Sequence, residues 1–581
     1  MKNILIAIRS IFKKGRHNVM KIVSLGIGLA VGLVLIAKVY FEQSYDDFYP
    51  DRDRVYQVWA KYQQNGGELK DYPQTSGGIA PTMQQQIPEI ETVTRYTSFG
   101  DWTFTMTDTK MKYSGRCIIA DSCFFDILPR PMLIGNAKEV LSTPMYVLIS
   151  SRIAKNIGGD VIGKNFTVDN SPGRTMTIGG VFEEVPENSH SRYDVIVSMA
   201  SAGRFMWEGS PTNMLGNDRY ISYVKLHKGV NPLALEEQVR TFVNSYFPPE
   251  EQQKVGLSID FSFHKLDNLH KELPQVKRMT WILSLLAFAL IFTAVMNYIL
   301  IVISSIVNRS KEVAVHKCYG ASENNIHGMM FGEALVHIVL SLILALLLIL
   351  AFRGTVEELL ATSLDSLLLS NGSLVLLGIC ILVFFVSGFM PGSLYARIPV
   401  ASAFRNYREN KRIWKKALLL VQFVATGFLV TMLVFVARQY TFMVNDRPGY
   451  AYENLAYCGL AGVDSTSRAK ILDEVMRLPG VAAATTVYQL PFEHASGNNI
   501  LLPGGTQELF NIADLYWVGN GYLDMMEIPV IQGRSFTENV TNSREVMVDR
   551  RFVEKMKLVA GWTDDVVGKD ICVTEHSKWN E

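Results

Sequence analysis

Apolar residues are not spread evenly along this chain; they gather in five windows, at 21–41, 281–307, 334–352, 374–391 and 417–436. Each is near the ~20 residues that a ~30 Å hydrocarbon layer requires at 1.5 Å per residue. Between Ile282 and Ile303 stand 14 Leu, Ile, Phe or Val residues and one amide, Asn297. At about −0.3 to −0.6 kcal/mol each, they contribute roughly −4 to −8 kcal/mol, enough to carry that amide. A buried helix of a soluble protein would show a polar stripe, and none is present. The pattern predicts five membrane spans, with Lys38 near the outer end of the first, where its stem can snorkel.

The remaining chain patterns differently. Segment 42–280 mixes strand-like alternation, as in Val55-Tyr56-Gln57-Val58-Trp59 and Tyr220-Ile221-Ser222-Tyr223-Val224, with amphipathic stretches. After Asn231-Pro232, the stripe Leu235, Val239, Phe242, Val243 predicts a helix with proline near its start. Mixed elements over this length predict an α+β domain with its own core. Residues 1–20 set Ile4, Leu5, Ile8, Ile11 and Phe12 against Lys and Arg, the pattern of a helix lying on a membrane face.

Basic residues orient the spans. They crowd the N-terminal segment (Lys2, Arg9, Lys13, Lys14, Arg16, Lys21) and loop 308–333 (Arg309, Lys311, Lys317). They also crowd loop 392–416 (Arg397, Arg405, Arg408, Lys411, Arg412, Lys415, Lys416), whereas the loop 353–373 has only Arg353. Under alternating topology all three basic segments share one side, so the N-terminus is expected in the cytoplasm, with 42–280 and 437–581 outside. The first window exceeds the 7–15 apolar residues of a signal peptide, and Ala37-Lys38-Val39 is no small-x-small cleavage site, so a retained anchor is expected.

Composition agrees. Of 581 residues, 48% are hydrophobic and only 19% charged, and the net charge of +1 removes the phosphate attraction on which nucleic-acid binders depend. Disorder and a coiled-coil rod are excluded on the same grounds.

The two outer segments echo each other. Phe124-Phe125-Asp126-Ile127 leading to Gly135 corresponds to Tyr522-Leu523-Asp524-Met525 leading to Gly533. Tyr146-Val147-Leu148-Ile149-Ser150 before Gly163-Lys164 corresponds to Glu545-Val546-Met547-Val548-Asp549 before Gly568-Lys569. Ile87-Pro88 echoes Leu478-Pro479. Matches in one order at nearly one offset mark a duplication of span plus outer domain.

Catalytic patterns are missing: there is no HExxH, CxxC or GxSxG. Residues 158–165, GGDVIGKN, mimic a phosphate loop but carry Asn165 where Ser or Thr should hold Mg²⁺, on the side expected to lack ATP; a structural turn is the expectation. The scattered histidines and six cysteines form no metal-ligand spacing, and no metal site or catalytic residue is expected; Cys117, Cys123, Cys458 and Cys572 are free thiols or disulfide partners outside. Asn297, Glu333 and His337 are the polar candidates within the spans. Glu333 and His337, at i and i+4, share a helix face, and their place near the cytoplasmic boundary predicts a hydrated interfacial pair.

The most specific stretch follows the second span: Asn308-Arg309-Ser310-Lys311-Glu312-Val313-Ala314-Val315-His316-Lys317-Cys318-Tyr319-Gly320-Ala321. It reads as a short charged helix ending at Gly320, tied to one span and leading directly into the next, so a partner pushing on it would tilt two spans together. It resembles the R-x-K-E-[IV]-[AG]-[IV]-R-[KR]-x-[LV]-G-A signature of FtsX/MacB-type ABC transporter permeases. Arg309, Lys311, Glu312, Val313, Ala314, Val315, Lys317, Gly320 and Ala321 match, while His316 and Tyr319 depart from it. Tyr45-Asp46-Asp47-Phe48, Arg54-Val55-Tyr56, Pro186-Glu187-Asn188-Ser189-His190, Gly388-Phe389-Met390-Pro391 and Gln422-Phe423 resemble the family too.

The resemblance implies an integral membrane protein: an α-helical bundle with two α+β extracytoplasmic domains related by duplication. Family members of this kind carry eight spans, so the chain is expected to be C-terminally truncated, with the second domain incomplete. It further implies a non-enzymatic permease in the bacterial inner membrane that binds no cofactor of its own. A separate cytoplasmic ABC ATPase would use ATP and Mg and dock at 309–321, with Glu312 and Lys317 as polar contacts. The partners implied are that ATPase, a second permease in a homo- or heterodimer, a periplasmic adaptor, an outer-membrane channel and membrane lipid. The function implied is export of peptides, drugs or lipoproteins; the alternative is an FtsX-like signalling protein that regulates a cell-wall hydrolase.

Overall fold

The computed structural model describes residues 17–64, 69–168, 171–216, 219–401, 413–446, 449–460, 463–491, 496–504, 508–536, 545–563 and 565–573. Residues 1–16 of the expected amphipathic helix and 402–412 of the basic loop lie outside the described residues. Among those described, five helices are long and apolar enough to cross a membrane. They are span 1 (Asn18–Gln43), span 2 (Pro274–Ser304), span 3 (Glu323–Ala351), span 4 (Ser373–Ala396) and span 5 (Ile413–Asn445).

Two ends differ from the apolar windows for local reasons. Span 2 breaks at Ser305, so Ile306 and Val307 open the next helix, Ile306–Cys318, instead of closing the span. Span 3 begins well before its window because the Ser322 hydroxyl accepts from the Asn325 N–H, a cap that lets the polar turn after it join the helix. Span 1 packs tightly on its neighbours through glycine: a Cβ at Gly28 would lie 2.3 Å from the Ala294 Cβ of span 2, and one at Gly26 2.9 Å from Leu344 of span 3. Small residues at such faces let helix backbones approach, and dispersion then holds them where the hydrophobic effect cannot. Leu25, Leu29, Ile299, Ile303, Ile338 and Ala345 form the bundle core.

The chain divides into two units, one within 1–167, 175–249 and 258–436, the other within 437–581 together with 168–174 and 250–257. In the first, the α+β domain holds a mixed sheet. Its strands include β1 (Val55–Gln64), β2 (Lys70–Tyr72), β3 (Ile90–Met106), β4 (Lys112–Ala120), β5 (Met132–Ile134) and β6 (Tyr146–Ser150). They continue with β7 (Asn165–Val168), β8 (Ser171–Phe182), β9 (Val195–Ser198), β10 (Ile221–Leu226) and β11 (Leu257–Lys265). The order is β11-β1-β10-β3-β4-β9-β6-β8-β5, with β2 on β1 and β7 between β3 and β8. The two alternating runs expected as strands lie in β1 and β10, antiparallel neighbours with Val55 opposite Lys225. The stripe after Pro232 becomes helix Glu236–Tyr246, burying Val239, Phe242 and Val243. Phe124, Leu148, Phe182, Ile196 and Tyr223 anchor the domain core.

The phosphate-loop mimic is a turn: Gly158 and Gly159 follow helix Ser151–Ile157 instead of opening one, and Gly163 turns into β7.

In the second unit, β12 (Ser496–Leu501) pairs with β13 (Glu508–Leu515) and β14 (Cys572–Val573), and helix Arg550–Ala560 lays Met556 on Ile500. The duplication is visible in the backbone. Gly135 and Gly533 have φ of 86° and 81°, and Gly163 and Gly568 have 77° and 81°. Only glycine adopts that region without a steric cost, so both copies keep it at matching turns. The one-turn helices Phe124–Ile127 and Tyr522–Met525 stand at matching places as well.

Candidate functional site

Helix Ile306–Cys318, the inter-span helix, is bounded by chemistry that its sequence dictates. At its C-terminus Gly320, at φ 88°, lets the Ala321 N–H reach the His316 carbonyl at 3.0 Å and its own N–H reach Lys317 at 3.0 Å. This Schellman arrangement satisfies carbonyls that would otherwise be orphaned, and a side chain at that φ would be strained.

The helix has two faces. Arg309, Ser310, Val313 and Ala314 are buried against the bundle, while Lys311, Val315, His316, Tyr319 and Gly320 are exposed and Ala321 is half-buried. Tyr319 is 89% exposed, an unusual place for so large an aromatic side chain. Two residues expected to face a partner are engaged within the chain. Lys317 Nζ donates to the carbonyls of Ala396 at 2.6 Å and Ile398 at 2.9 Å, capping the end of span 4. Glu312 is half-buried with its Oε2 3.7 Å from Arg309 Nε.

Arg309 points inward. Its Nη1 lies 2.8 Å from Glu333 Oε2 on span 3, and its guanidinium stands over the Tyr395 ring of span 4 at 5.5 Å. Lys21 of span 1 brings Nζ to 3.5 Å from Glu333 Oε1. His337 Nδ1 meets the Tyr298 hydroxyl of span 2 at 3.2 Å. Glu333 and His337 do share a face, but the expected hydration is wrong: both are buried, because cations from two other elements converge on the carboxylate. No sequence spacing reveals that, since Lys21, Arg309 and Glu333 belong to different helices. Asn297 Nδ2 donates to Ser24 Oγ at 2.6 Å, a bond between spans 2 and 1.

A second junction lies at the other end of span 1. Lys38 does not snorkel; it is buried, with Nζ 2.7 Å from both Glu42 Oε1 and Thr362 Oγ1. His270 Nε2 meets Glu42 Oε2 at 2.6 Å, and the Tyr45 ring stacks on His270. Two stretches quoted above as separate family features prove to be one joint. Asp46, wholly buried, donates its N–H to the Asn188 carbonyl at 2.8 Å and accepts from Ser189 Oγ at 2.9 Å. Its Oδ2 lies 2.6 Å from His190 Nδ1, and His190 Nε2 bonds the Tyr223 hydroxyl. Asn188 Nδ2 donates to the Ser44 carbonyl at 2.7 Å. Burial pushes the Tyr49, Tyr193 and Tyr223 hydroxyls above their ordinary range and Tyr96 up to about 12. Among the described residues no group of His, Cys, Asp or Glu is placed to hold a metal ion.

The chain matches the MacB-like periplasmic core domain over residues 20–242 and the FtsX-like permease C-terminal domain over 284–400. No curated protein matches it. Among solved structures it is similar to a domain of a Porphyromonas gingivalis protein described as a permease, at 33% identity and a TM-score of 0.35, covering 37% of this chain and 91% of that one. It is similar to the periplasmic region of MacB from Actinobacillus actinomycetemcomitans, at 15% identity and a TM-score of 0.25, covering 38% and 91%. The extracellular domain of the noncanonic ABC-type transporter YknZ from Gram-positive bacteria matches at 11% identity and a TM-score of 0.26, covering 35% and 98%. The two matched domains follow one another along the chain, cover more than half of it together, and meet in a membrane bundle whose inter-span helix carries the signature residues. The chain belongs to the FtsX/MacB-type ABC transporter permeases.

Proposed function

We propose that this membrane-embedded permease subunit passes ATP-driven motion from a separate cytoplasmic ABC ATPase to its extracytoplasmic domains. The observation that carries the reading is the division of the inter-span helix into a face locked to spans 3 and 4 through Arg309 and Lys317 and a bare face of Lys311, Val315, His316 and Tyr319. A rigid, capped element with an exposed aromatic between basic residues is a docking surface, since a buried aromatic anchor supplies much of the energy of an interface. The chain lies in a bacterial inner membrane with its N-terminus in the cytoplasm, binds no cofactor, and leaves ATP and Mg to the partner. Export of peptides, drugs or lipoproteins, with a second permease, a periplasmic adaptor and an outer-membrane channel, is the process it serves.

The structure moves the test away from Glu312 and Lys317. Tyr319→Glu and Lys311→Glu alter only exposed positions, so thermal stability of the permease stays within about 0.5 kcal/mol of wild type. Co-purification of the ATPase in mild detergent falls. Undiminished co-purification with both variants overturns the docking surface.

A further inference from the structure

We propose that Glu333 is a positioning residue: it is the anchor through which the inter-span helix holds spans 1 and 3 in register. The inference rests on the docking reading above and goes one step inward from it.

Glu333 stands ten residues into span 3, roughly 15 Å along the helix from its start at 1.5 Å per residue. The groups around it come from all the neighbouring elements: the inter-span helix, spans 1, 2 and 4, and His337 of span 3 itself. Arg309 comes from the inter-span helix at 2.8 Å and Lys21 from span 1 at 3.5 Å. Tyr395 of span 4 lies under the Arg309 guanidinium, Glu312 reaches Arg309 from the rim, and the His337–Tyr298 pair closes the side toward span 2. Two cations and two carboxylates balance, and the side chains of Lys21, Arg309 and Glu333 are nearly inaccessible.

Such a cluster is a poor device for stability alone, because well-packed apolar residues of similar volume would serve as well or better. It differs from an apolar contact in being specific in position. Leucines can slide past one another with little loss, whereas one carboxylate shared by two cations from separate helices has a single satisfying register. A displacement of the inter-span helix therefore has to carry spans 1 and 3 with it, or leave a buried charge unpaired. Span 1 continues to the Asp46–His190 joint, so the anchor is the inner end of a continuous path to the α+β domain.

The test uses the full permease with its ATPase in nanodiscs. Hydrogen–deuterium exchange is read over residues 38–49 and 186–191, with and without ATP, Mg²⁺ and vanadate. Wild type shows a nucleotide-dependent change in exchange rate at this outer joint. Glu333→Gln keeps ATPase co-purification but cuts that change about fivefold or more, the scale of ordinary coupling between sites. Arg309→Gln does the same, and the double variant is no worse than either single, as expected of residues acting through one contact. If Glu333→Gln fails to fold, Lys21→Gln, which leaves the Arg309–Glu333 pair, still has to weaken the change. A wild-type response in Glu333→Gln, or losses that multiply in the double variant, overturns the anchor. Loss of co-purification in wild type itself overturns the docking reading, and the anchor's premise with it.

Discussion

Gly28→Ala puts a methyl group where spans 1 and 2 touch, and the structure gives the consequence in ångströms. The new Cβ would stand 2.3 Å from the Ala294 Cβ, with the Leu290 carbonyl at 3.5 Å and the Ala294 Cα at 3.6 Å. Carbon atoms rest at roughly 3.5–4.0 Å, so the two helices have to part by about 1.2–1.7 Å locally. Ala294 Cβ is fixed to backbone and cannot rotate away. Overpacking of this kind costs about 1–3 kcal/mol, offset in part by the ~1 kcal/mol that alanine gains over glycine within a helix. The expected net loss is at most about 2 kcal/mol, read as a lower thermal midpoint in mild detergent. Gly32→Ala is the control. It meets the outer atoms of Ile291, at 2.4 Å to Cγ1, and that side chain can change rotamer, so the loss is smaller. The decisive variant is Gly28→Ala with Ala294→Gly, which removes the one atom in conflict and leaves the nearest neighbour at 3.5 Å. Measured against Ala294→Gly alone, the Gly28→Ala penalty vanishes. If it persists undiminished, the close approach of spans 1 and 2 at this point is refuted.

Other expectations follow from single contacts. Asn188→Ala removes the bonds to the Ser44 carbonyl and hydroxyl and lowers stability by about 0.5–1.5 kcal/mol in thermal unfolding. Lys317→Met frees the Ala396 and Ile398 carbonyls and destabilises the fold by about 1.5–3 kcal/mol, while ATPase co-purification from the surviving folded protein is unchanged. Tyr96, raised by burial to about 12, keeps its proton in the folded state where the unfolded chain, at about 10, gives it up. Its stabilising contribution is complete below pH 10 and is lost as pH climbs toward 12. In Tyr96→Phe the stability-against-pH slope in that window, followed by tyrosinate absorbance, is shallower by about 1.4 kcal/mol per pH unit; an unaltered slope means Tyr96 titrates normally in the folded protein.

The parts legible in the sequence were those with a period or a local rule. Five spans show as hydropathy, β1 and β10 as alternation, the helix after Pro232 as a stripe, and Gly320 as a helix terminator. What escaped were contacts between elements distant in sequence. Lys38 looked like a snorkelling residue because its partner Thr362 lies 324 residues away, between spans 3 and 4. Lys317 read as a polar contact for the ATPase because the carbonyls it caps, at and just beyond the end of span 4, are distant in sequence. Glu333 read as hydrated for the same reason. The usable signal was charged residues within or at the edge of otherwise apolar windows, Lys21, Lys38 and Glu333, which demand partners that spacing alone cannot name. The Asp46–His190 joint was half legible: both stretches stood out, but nothing in the chain order joined them.

Span 1 ties these observations together. At one end Lys21 shares Glu333 with the inter-span helix; at the other, Lys38 and Glu42 fasten it to Thr362 and His270, and Ser44 and Asp46 to 188–190. Between the two ends, glycines seat it directly on spans 2 and 3. A helix held by position-specific polar contacts at both termini, with small residues along its shaft, transmits displacement along its axis better than it absorbs it, because each end has one satisfying register. Apolar contact alone would let the ends slip. Under the proposed function, the buried charges, costly as they are within a membrane protein, sit where slippage would decouple the ATPase from the extracytoplasmic domains.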